Sequence, residues 1–422
     1  MNAILKNIGV IGIGYIGLPL AICLAKKNKV IAFDSNHERI SQLQKGININ
    51  NTKEKVIINN KVLDFTYDYT KLKSCNYYII TLPTPLNSNF EPDLNIIINA
   101  TKELSKIIKC GDIIIYESTF YPGCIEDELV PILEKESGLE FNKNFFCGYS
   151  PERINPGDPL HNISNIMKIT SGSTPKIAEI VDNIYSEIID AGTYKVQSIK
   201  IAEAAKVFEN TQRDLNIALV NELSIILNLM DIDTESVLKA AETKWNVHKY
   251  RPGLVGGHCI GVDPYYLTYK SKQLGYDPKV ILAGRYSNNQ MSKHVAISLV
   301  KEMIKRKIKI ENAKILIMGL TFKENTTDVR NSKVFDLIKE LKEFNFNIDA
   351  YDPYIEKKIT NHSDYNLVHT MKDRDYKAII IAVGHSEFKE MGLEKIKSFT
   401  DNNNFIYDLK LIFNKDDVAM RL

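Results

Sequence analysis

Apolar residues fall into two rhythms along this chain. Short continuous runs stand at Ile8–Ile11, Val30–Asp34, Tyr77–Leu82 and Ile113–Glu117, separated by stretches such as Leu18–Lys27 with helical spacing. Continuous β-rich runs between helices predict strands buried on both faces of a parallel sheet. The rhythm changes over Ser198–Met230, a stretch without Pro or Gly whose apolar residues recur at helical spacing. It predicts one long helix of ~30 residues, packed on more than one side and suited to a dimer interface. After about Asn312 the alternation returns, with strands expected at Lys314–Met318, Asn347–Tyr351, Ala378–Val383 and Asn404–Tyr407. The expected fold class is therefore α/β: two doubly wound sheets joined by a central helical domain. The expected boundaries are 1–195, 196–305 and 306–422.

Composition narrows this without changing it. Hydrophobic residues make up 44% and charged residues 25% of 422, which excludes a disordered chain. Lys and Arg exceed Asp and Glu by only two, 54 against 52, so there is no basic surplus for nucleic acid. Six cysteines with no CxxC pair give neither a disulfide framework nor a zinc site, and no metal is expected. They fit reduced thiols in a cytoplasm. Ile8–Ala25 carries no charge and has the length of a membrane helix. Four glycines and Pro19 within it read better as a strand, a turn and a helix start, so no membrane association is expected.

That turn is Gly12-Ile13-Gly14-Tyr15-Ile16-Gly17, a GxGxxG between a predicted strand and a predicted helix. The second strand ends in Asp34, 22 residues after Gly12. Gly12 allows the tight turn, Gly14 lets backbone approach a pyrophosphate, and Gly17 lets the helix pack on the strand. The helix N-terminus then faces the phosphates. Asp34 accepts from a ribose hydroxyl and repels a 2′-phosphate, which favours NAD over NADP.

Gly256-Gly257-His258-Cys259-Ile260-Gly261-Val262-Asp263 places a thiol on a glycine-flexible loop. Its thiolate would be the nucleophile; a small buried cysteine beside a turn is the competing reading. The other five, Cys23, Cys75, Cys110, Cys124 and Cys147, are read as structural and buried. On the long helix Lys206, Asn210 and Arg213 stand at i, i+4 and i+7, one helical face. A solvated face is the plain reading. A lysine whose pKa burial lowers, beside an arginine, would instead exchange protons and meet an anionic or hydroxyl-rich ligand.

Together these residues resemble the UDP-glucose/GDP-mannose dehydrogenase family over essentially the whole chain. The matching motifs are Gly12–Pro19, Ser118-Thr119 with Pro122-Gly123, Ser150-Pro151-Glu152-Arg153, Lys206 with Asn210-Thr211, Gly256–Asp263, and Phe322-Lys323 with Asp328-Val329-Arg330. Pro151–Gly157, Glu209–Glu222 and His258–Leu267 are most similar to the branch acting on UDP-N-acetylhexosamines. The resemblance implies two Rossmann-like domains, NAD-binding and UDP-binding, with the catalytic cysteine loop in the central domain. It implies a homodimer through the central helix. It also implies four-electron oxidation of a sugar C6 alcohol to a carboxylate with two NAD, through a Cys259 thiohemiacetal and thioester, for surface polysaccharide synthesis.

By motif position, Lys206, Asp263, Thr119, Asn210 and Glu152 would assist Cys259. Gly12, Gly14, Tyr15, Ile16, Gly17, Asp34, Arg39, Thr84 and Thr119 would meet NAD. Arg153, Ile154, Lys206, Asn210 and Arg213 would line the sugar. Phe322, Lys323, Arg330 and Lys410 would hold the nucleotide end, and Arg251 and Gly253 would bind substrate, the arginine by reaching the partner subunit's site. Two positions depart from the UDP-glucose branch: Pro156 stands where it has a second glutamate, and Val262 where it has a lysine. The base for thioester hydrolysis is thereby left open. UDP-N-acetylglucosamine is the favoured substrate, with UDP-N-acetylgalactosamine next; UDP-glucose or UDP-N-acetylmannosamine oxidation is the alternative. An ordinary two-electron hydroxyacid dehydrogenase and an NAD-binding regulatory protein are the competing classes.

Overall fold

A computed structural model of the chain describes residues 5–47, 62–153, 163–355, 363–401 and 405–422. Ile154 and Pro156 lie outside the described residues, as does the start of the strand expected at Asn404. The chain divides into two compact units, Met1–Glu209 with Tyr265–Gly275, and Asn210–Pro264 with Tyr276–Leu422.

The first unit runs β1 (Asn7–Ile11), α1 (Gly17–Leu24), β2 (Lys29–Phe33), α2 (His37–Gln44), β3 (Leu63–Thr66), β4 (Tyr77–Ile80), α3 (Asn95–Ser105) and β5 (Ile113–Tyr116). It continues with α4 (Val130–Ser137), β6 (Phe146–Tyr149), β7 (Lys168–Gly172), α5 (Pro175–Ser186) and β8 (Thr193–Lys195). The sheet order is β3-β2-β1-β4-β5-β6-β7-β8. Adjacent strands are parallel except β6 and β7, which are antiparallel, a departure from the all-parallel expectation. The apolar runs were legible because both faces are covered: Ile8, Val10, Val30, Ala32, Ile79 and Ile115 join the core with residues of α1 and α5. β3, β6, β7 and β8 escaped the sequence reading because LDFT, FCGY, KITSG and TYK break that apolar run.

A single helix, α6 (Ile199–Leu229, 31 residues), carries the chain from one unit to the next. The second unit adds α7 (Thr234–Ala241), and the chain returns to the first for most of α8 (Asp263–Gln273). There follow α9 (Lys279–Lys305), β9 (Lys314–Met318), α10 (Val334–Lys342), β10 (Asn347–Tyr351), β11 (Asn366–Leu367), β12 (Ala378–Ile381), α11 (Ser386–Met391), α12 (Leu393–Ser398), β13 (Ile406–Asp408) and β14 (Met420–Arg421). Its sheet, β11-β10-β9-β12-β13-β14, is parallel throughout. In each unit the order begins 3-2-1-4-5-6, that of a dinucleotide-binding doubly wound fold. Among the described residues no helix is long and apolar enough to cross a membrane.

Candidate active site

In the first unit the reversal of strand order places the β1–α1 turn beside β4, where such folds hold ligands. Gly12 has φ +94°, a left-handed conformation closed to most side chains. A Cβ on Gly17 would run into the Gly12 carbonyl and the Thr81 hydroxyl, so only glycine lets α1 start there. A Cβ on Gly14 would meet nothing within 4 Å, which leaves a backbone surface open for approach. No side chain caps the start of α1. Asp34, one residue beyond β2, accepts the Ile13 amide at 2.9 Å and the Asn36 amide at 3.0 Å. A carboxylate beside an open glycine turn fits the adenosine ribose and pyrophosphate of NAD. Tyr15 is exposed, and Ile16 and Arg39 are half-buried, all in the same turn or at the start of α2. Across the sheet, Thr84 donates to the Thr119 carbonyl at 2.9 Å, while the Thr84 carbonyl accepts from Tyr266 at 2.6 Å.

Further along β6 the chain leaves the sheet as Ser150-Pro151-Glu152-Arg153. The buried Lys206 of α6 donates to the Glu152 carbonyl at 3.1 Å. Arg153 pairs with Glu209 one turn further on. Glu152 itself is buried, with Lys168 beside it at 3.4 Å. One helical turn before Lys206, Glu203 accepts the Gly123 and Ile125 amides at 2.6 and 3.0 Å, tying the segment after Thr119 to α6. Burial pushes this carboxyl up to about 8 despite those two donors.

The second unit carries the thiol. Cys259 is exposed on a turn whose carbonyl accepts the Val262 and Asp263 amides at 3.1 and 2.9 Å. Asp263 is buried and takes a hydrogen bond from the buried Asn210 amide. Gly257 has φ +85°, and a Cβ there would meet the Phe322 ring at 2.7 Å; its amide donates to the Asn331 carbonyl at 3.0 Å. The cysteine turn thus rests on the loop after β9 that carries Phe322, Lys323 and Arg330. Arg330 is held by Asp328 at 2.7 Å. Partial desolvation and the Arg330 guanidinium keep the His258 imidazole below the ordinary histidine range, so it is neutral near pH 7. Lys410 reaches Gly253, its Nζ 3.9 Å from where a Gly253 Cβ would stand. Gly253 is clamped by Asn221, which donates to its carbonyl at 3.1 Å and accepts its amide at 2.8 Å.

The expected burial of all five other cysteines needs correction, and Arg213 and Arg251 stand as follows. Arg213 is exposed, unlike Lys206 and Asn210. The buried polar row is Lys206, Asn210 and Asp214, at i, i+4 and i+8, and Asp214 pairs with Arg285. By helical angle alone i+7 returns to the starting face more closely than i+8, so it is the pairing with Arg285, not the repeat, that buries Asp214 rather than Arg213. Cys110 is exposed and Cys23 only half-buried, whereas Cys75, Cys124 and Cys147 are buried. Arg251 is engaged within its own chain by Glu235 at 2.6 Å and by Glu242.

An open Gly-rich turn with a following acid, in a doubly wound sheet, defines an NAD-binding oxidoreductase; the thiol turn in the second unit narrows the class further. The chain belongs to the UDP-glucose/GDP-mannose dehydrogenase family. The family's NAD binding domain matches residues 6–189, its central domain 200–290 and its UDP binding domain 316–415. The UDP-N-acetyl-D-glucosamine 6-dehydrogenase of Pseudomonas aeruginosa is 53% identical over 419 residues, 99% of both chains. The enzyme of the same name from Salmonella typhi is 51% identical, over 99% of this chain and 98% of its own. A UDP-D-ManNAc dehydrogenase structure from Pyrococcus horikoshii superposes with a TM-score of 0.86 at 28% identity, covering 99% of this chain and 98% of its own. The protein is an NAD-dependent nucleotide-sugar dehydrogenase.

Proposed function

We propose that the protein oxidises the C6 alcohol of UDP-N-acetylglucosamine to the uronic acid, supplying a precursor of surface polysaccharide. The observation that carries this reading is the exposed Cys259 turn packed on the Phe322–Arg330 loop. It is supported by identity of about half to two enzymes named for that substrate.

NAD, held by the Gly12–Gly17 turn and Asp34, supplies the hydride acceptor. Tyr15, Ile16, Arg39, Thr84 and Thr119 complete its surroundings. The first oxidation leaves an aldehyde at C6. Cys259 adds its sulfur to that carbon, giving a tetrahedral thiohemiacetal that can be oxidised again to a thioester. Lys206 exchanges the hydroxyl proton and stabilises the oxyanion, with its ammonium located by the Glu152 carbonyl. Asn210 orients Asp263, and Asp263, Thr119 and Glu152 position water for release of the acid. The nucleotide end meets Phe322, Lys323, Arg330 and Lys410, whose charges suit a diphosphate. Arg153 lines the sugar with Arg213, while Arg251 and Gly253 serve the partner's site within a homodimer.

The test is turnover with NAD on a panel of UDP-sugars. Two NADH per uronic acid and the highest kcat/KM on UDP-N-acetylglucosamine are expected. A preference for UDP-glucose, or one NADH per product, would overturn the reading.

A further inference from the structure

Lys168, the first residue of β7, is only 5% exposed. Its ammonium donates to Glu117 Oε2 at 3.0 Å, to Glu152 Oε2 at 3.4 Å and to the Pro151 carbonyl at 3.4 Å. From α5, the Tyr185 hydroxyl donates to Glu117 Oε1 at 2.5 Å, and its ring centroid lies 5.0 Å from the ammonium. Ser150 donates to the Ile169 carbonyl at 2.7 Å, a second tie between this segment and β7. The Glu152 carboxylate also accepts the Arg153 amide, and the Glu152 carbonyl receives Lys206.

Burying an ammonium and two carboxylates is expensive, and apolar residues of similar volume commonly serve stability as well or better. A lysine at a strand start would ordinarily extend its head into water. Here it is turned inward, onto the peptide that receives Lys206. We propose that Lys168 is a positioning residue for the oxidation: it pins the Pro151–Glu152 peptide to β7, and the Glu152 carbonyl thereby fixes the Lys206 ammonium. The inference rests on Lys206 acting as the proton-exchanging group.

Lys168 also sets the charge of its neighbours. Burial pushes the Glu117 carboxyl up, and Lys168 is the largest influence opposing it. The groups facing Lys168 are Glu117 at the end of β5, Glu152 and the Pro151 carbonyl after β6, and Tyr185 on α5; Lys206 and Arg153 meet the same peptide. Removing the cation therefore raises the pH at which Glu117 ionises.

The test uses the full-length enzyme with NAD and its best UDP-sugar. Lys168→Met should lower kcat by roughly ten- to a hundredfold, the scale of a misplaced catalytic group. KM for the sugar and NAD affinity should stay within about twofold, and the acidic limb of the kcat profile should move up by ~0.5 pH unit or more. Lys168→Arg should recover much of the rate. Glu117→Gln, which keeps an acceptor for Lys168 but cannot ionise, should move the limb from its wild-type position, and it decides the question if Lys168→Met does not fold. A folded Lys168→Met with the wild-type kcat and limb overturns the proposal, as does an unmoved limb in Glu117→Gln. A Lys206→Ala arm separates the two readings: wild-type activity there removes the role of Lys206 itself. An inactive Lys206→Ala beside an unaffected Lys168→Met removes only the role of Lys168.

Discussion

At the scale of single residues, the thiol is the most exacting position. A second oxidation requires a nucleophile attached to the aldehyde carbon, and Cys259 stands exposed on a turn that no core packing demands. Cys259→Ala should reduce uronic acid formation by roughly a thousandfold or more. NAD and UDP-sugar binding should persist, checked by calorimetry. Cys259→Ser, a weaker nucleophile whose ester hydrolyses slowly, should leave a sugar adduct visible in the intact mass. Asp34 carries a different kind of prediction, because its carboxylate shapes the turn through the Ile13 amide and, in the proposed reading, accepts from the NAD ribose. Asp34→Ala should weaken NAD binding by about 1–3 kcal/mol, measured by titration. Efficient turnover of NADP by the wild-type enzyme would contradict the assignment.

The elements repeat a device. β1 and β2 pair in register from Asn7 with Lys29 to Ile11 with Phe33, and β9 and β10 pair from Lys314 with Asn347 to Met318 with Tyr351. Each first strand ends at a left-handed glycine, Gly12 at φ +94° and Gly319 at φ +93°. Each second strand is followed at once by an aspartate that accepts an amide from that glycine turn, Asp34 from Ile13 and Asp352 from Leu320 at 2.7 Å. The two differ in burial. Asp352 is 4% exposed and is bridged by His385 at 3.1 Å, so its carboxylate serves the fold rather than a ribose. Burial alone would raise the Asp352 carboxyl, but hydrogen bonds from His385 and the Leu320 and Tyr354 amides hold it below the usual range. A depressed carboxyl contributes stability that is complete above its unfolded pKa of about 4 and is lost as pH falls through the folded value. Asp352→Asn should therefore lower Tm clearly at pH 7 and much less near pH 3, as thermal melts at both pH values would show.

At the scale of the whole molecule the exposed face of α6 bears on assembly. Along α6, Ile201, Phe208, Leu219 and Ile226 are exposed at 43%, 65%, 66% and 48%. Their spacings of seven, eleven and seven residues bring them to one stripe of the helix. An apolar stripe on a helix that is already packed on its other faces suits a second copy of the chain. Phe208→Glu together with Leu219→Glu should convert a dimer to a monomer in light scattering. Activity should fall with it if Arg251 serves the partner's site. In that case Arg251→Ala mixed with Cys259→Ala should recover part of the activity, and a monomeric, fully active wild type would refute the dimer.

The sequence alone determined the apolar strands at the centre of each sheet, the long helix, the glycine turn and its acid. Each is a local or periodic constraint: an apolar run buried on both faces, a helical repeat without Gly or Pro, a backbone angle open only to glycine. The positions β9 and β10 were legible to the residue because their apolar runs end at turns. Tertiary structure decided what depends on residues distant along the chain. Lys168, Glu117 and Tyr185 have no common spacing, yet three elements deliver them to one buried cluster. Asn221 gives no signal as an asparagine on a helix until its amide is found paired with both backbone groups of Gly253. Arg213 and Asp214 are neighbours in an equally polar stretch, and only packing buried the aspartate against Arg285 and left the arginine outside. Hydrophobic pattern fixes which face of an element turns inward, but a buried charge needs its partner, and the partner's identity is set by the fold.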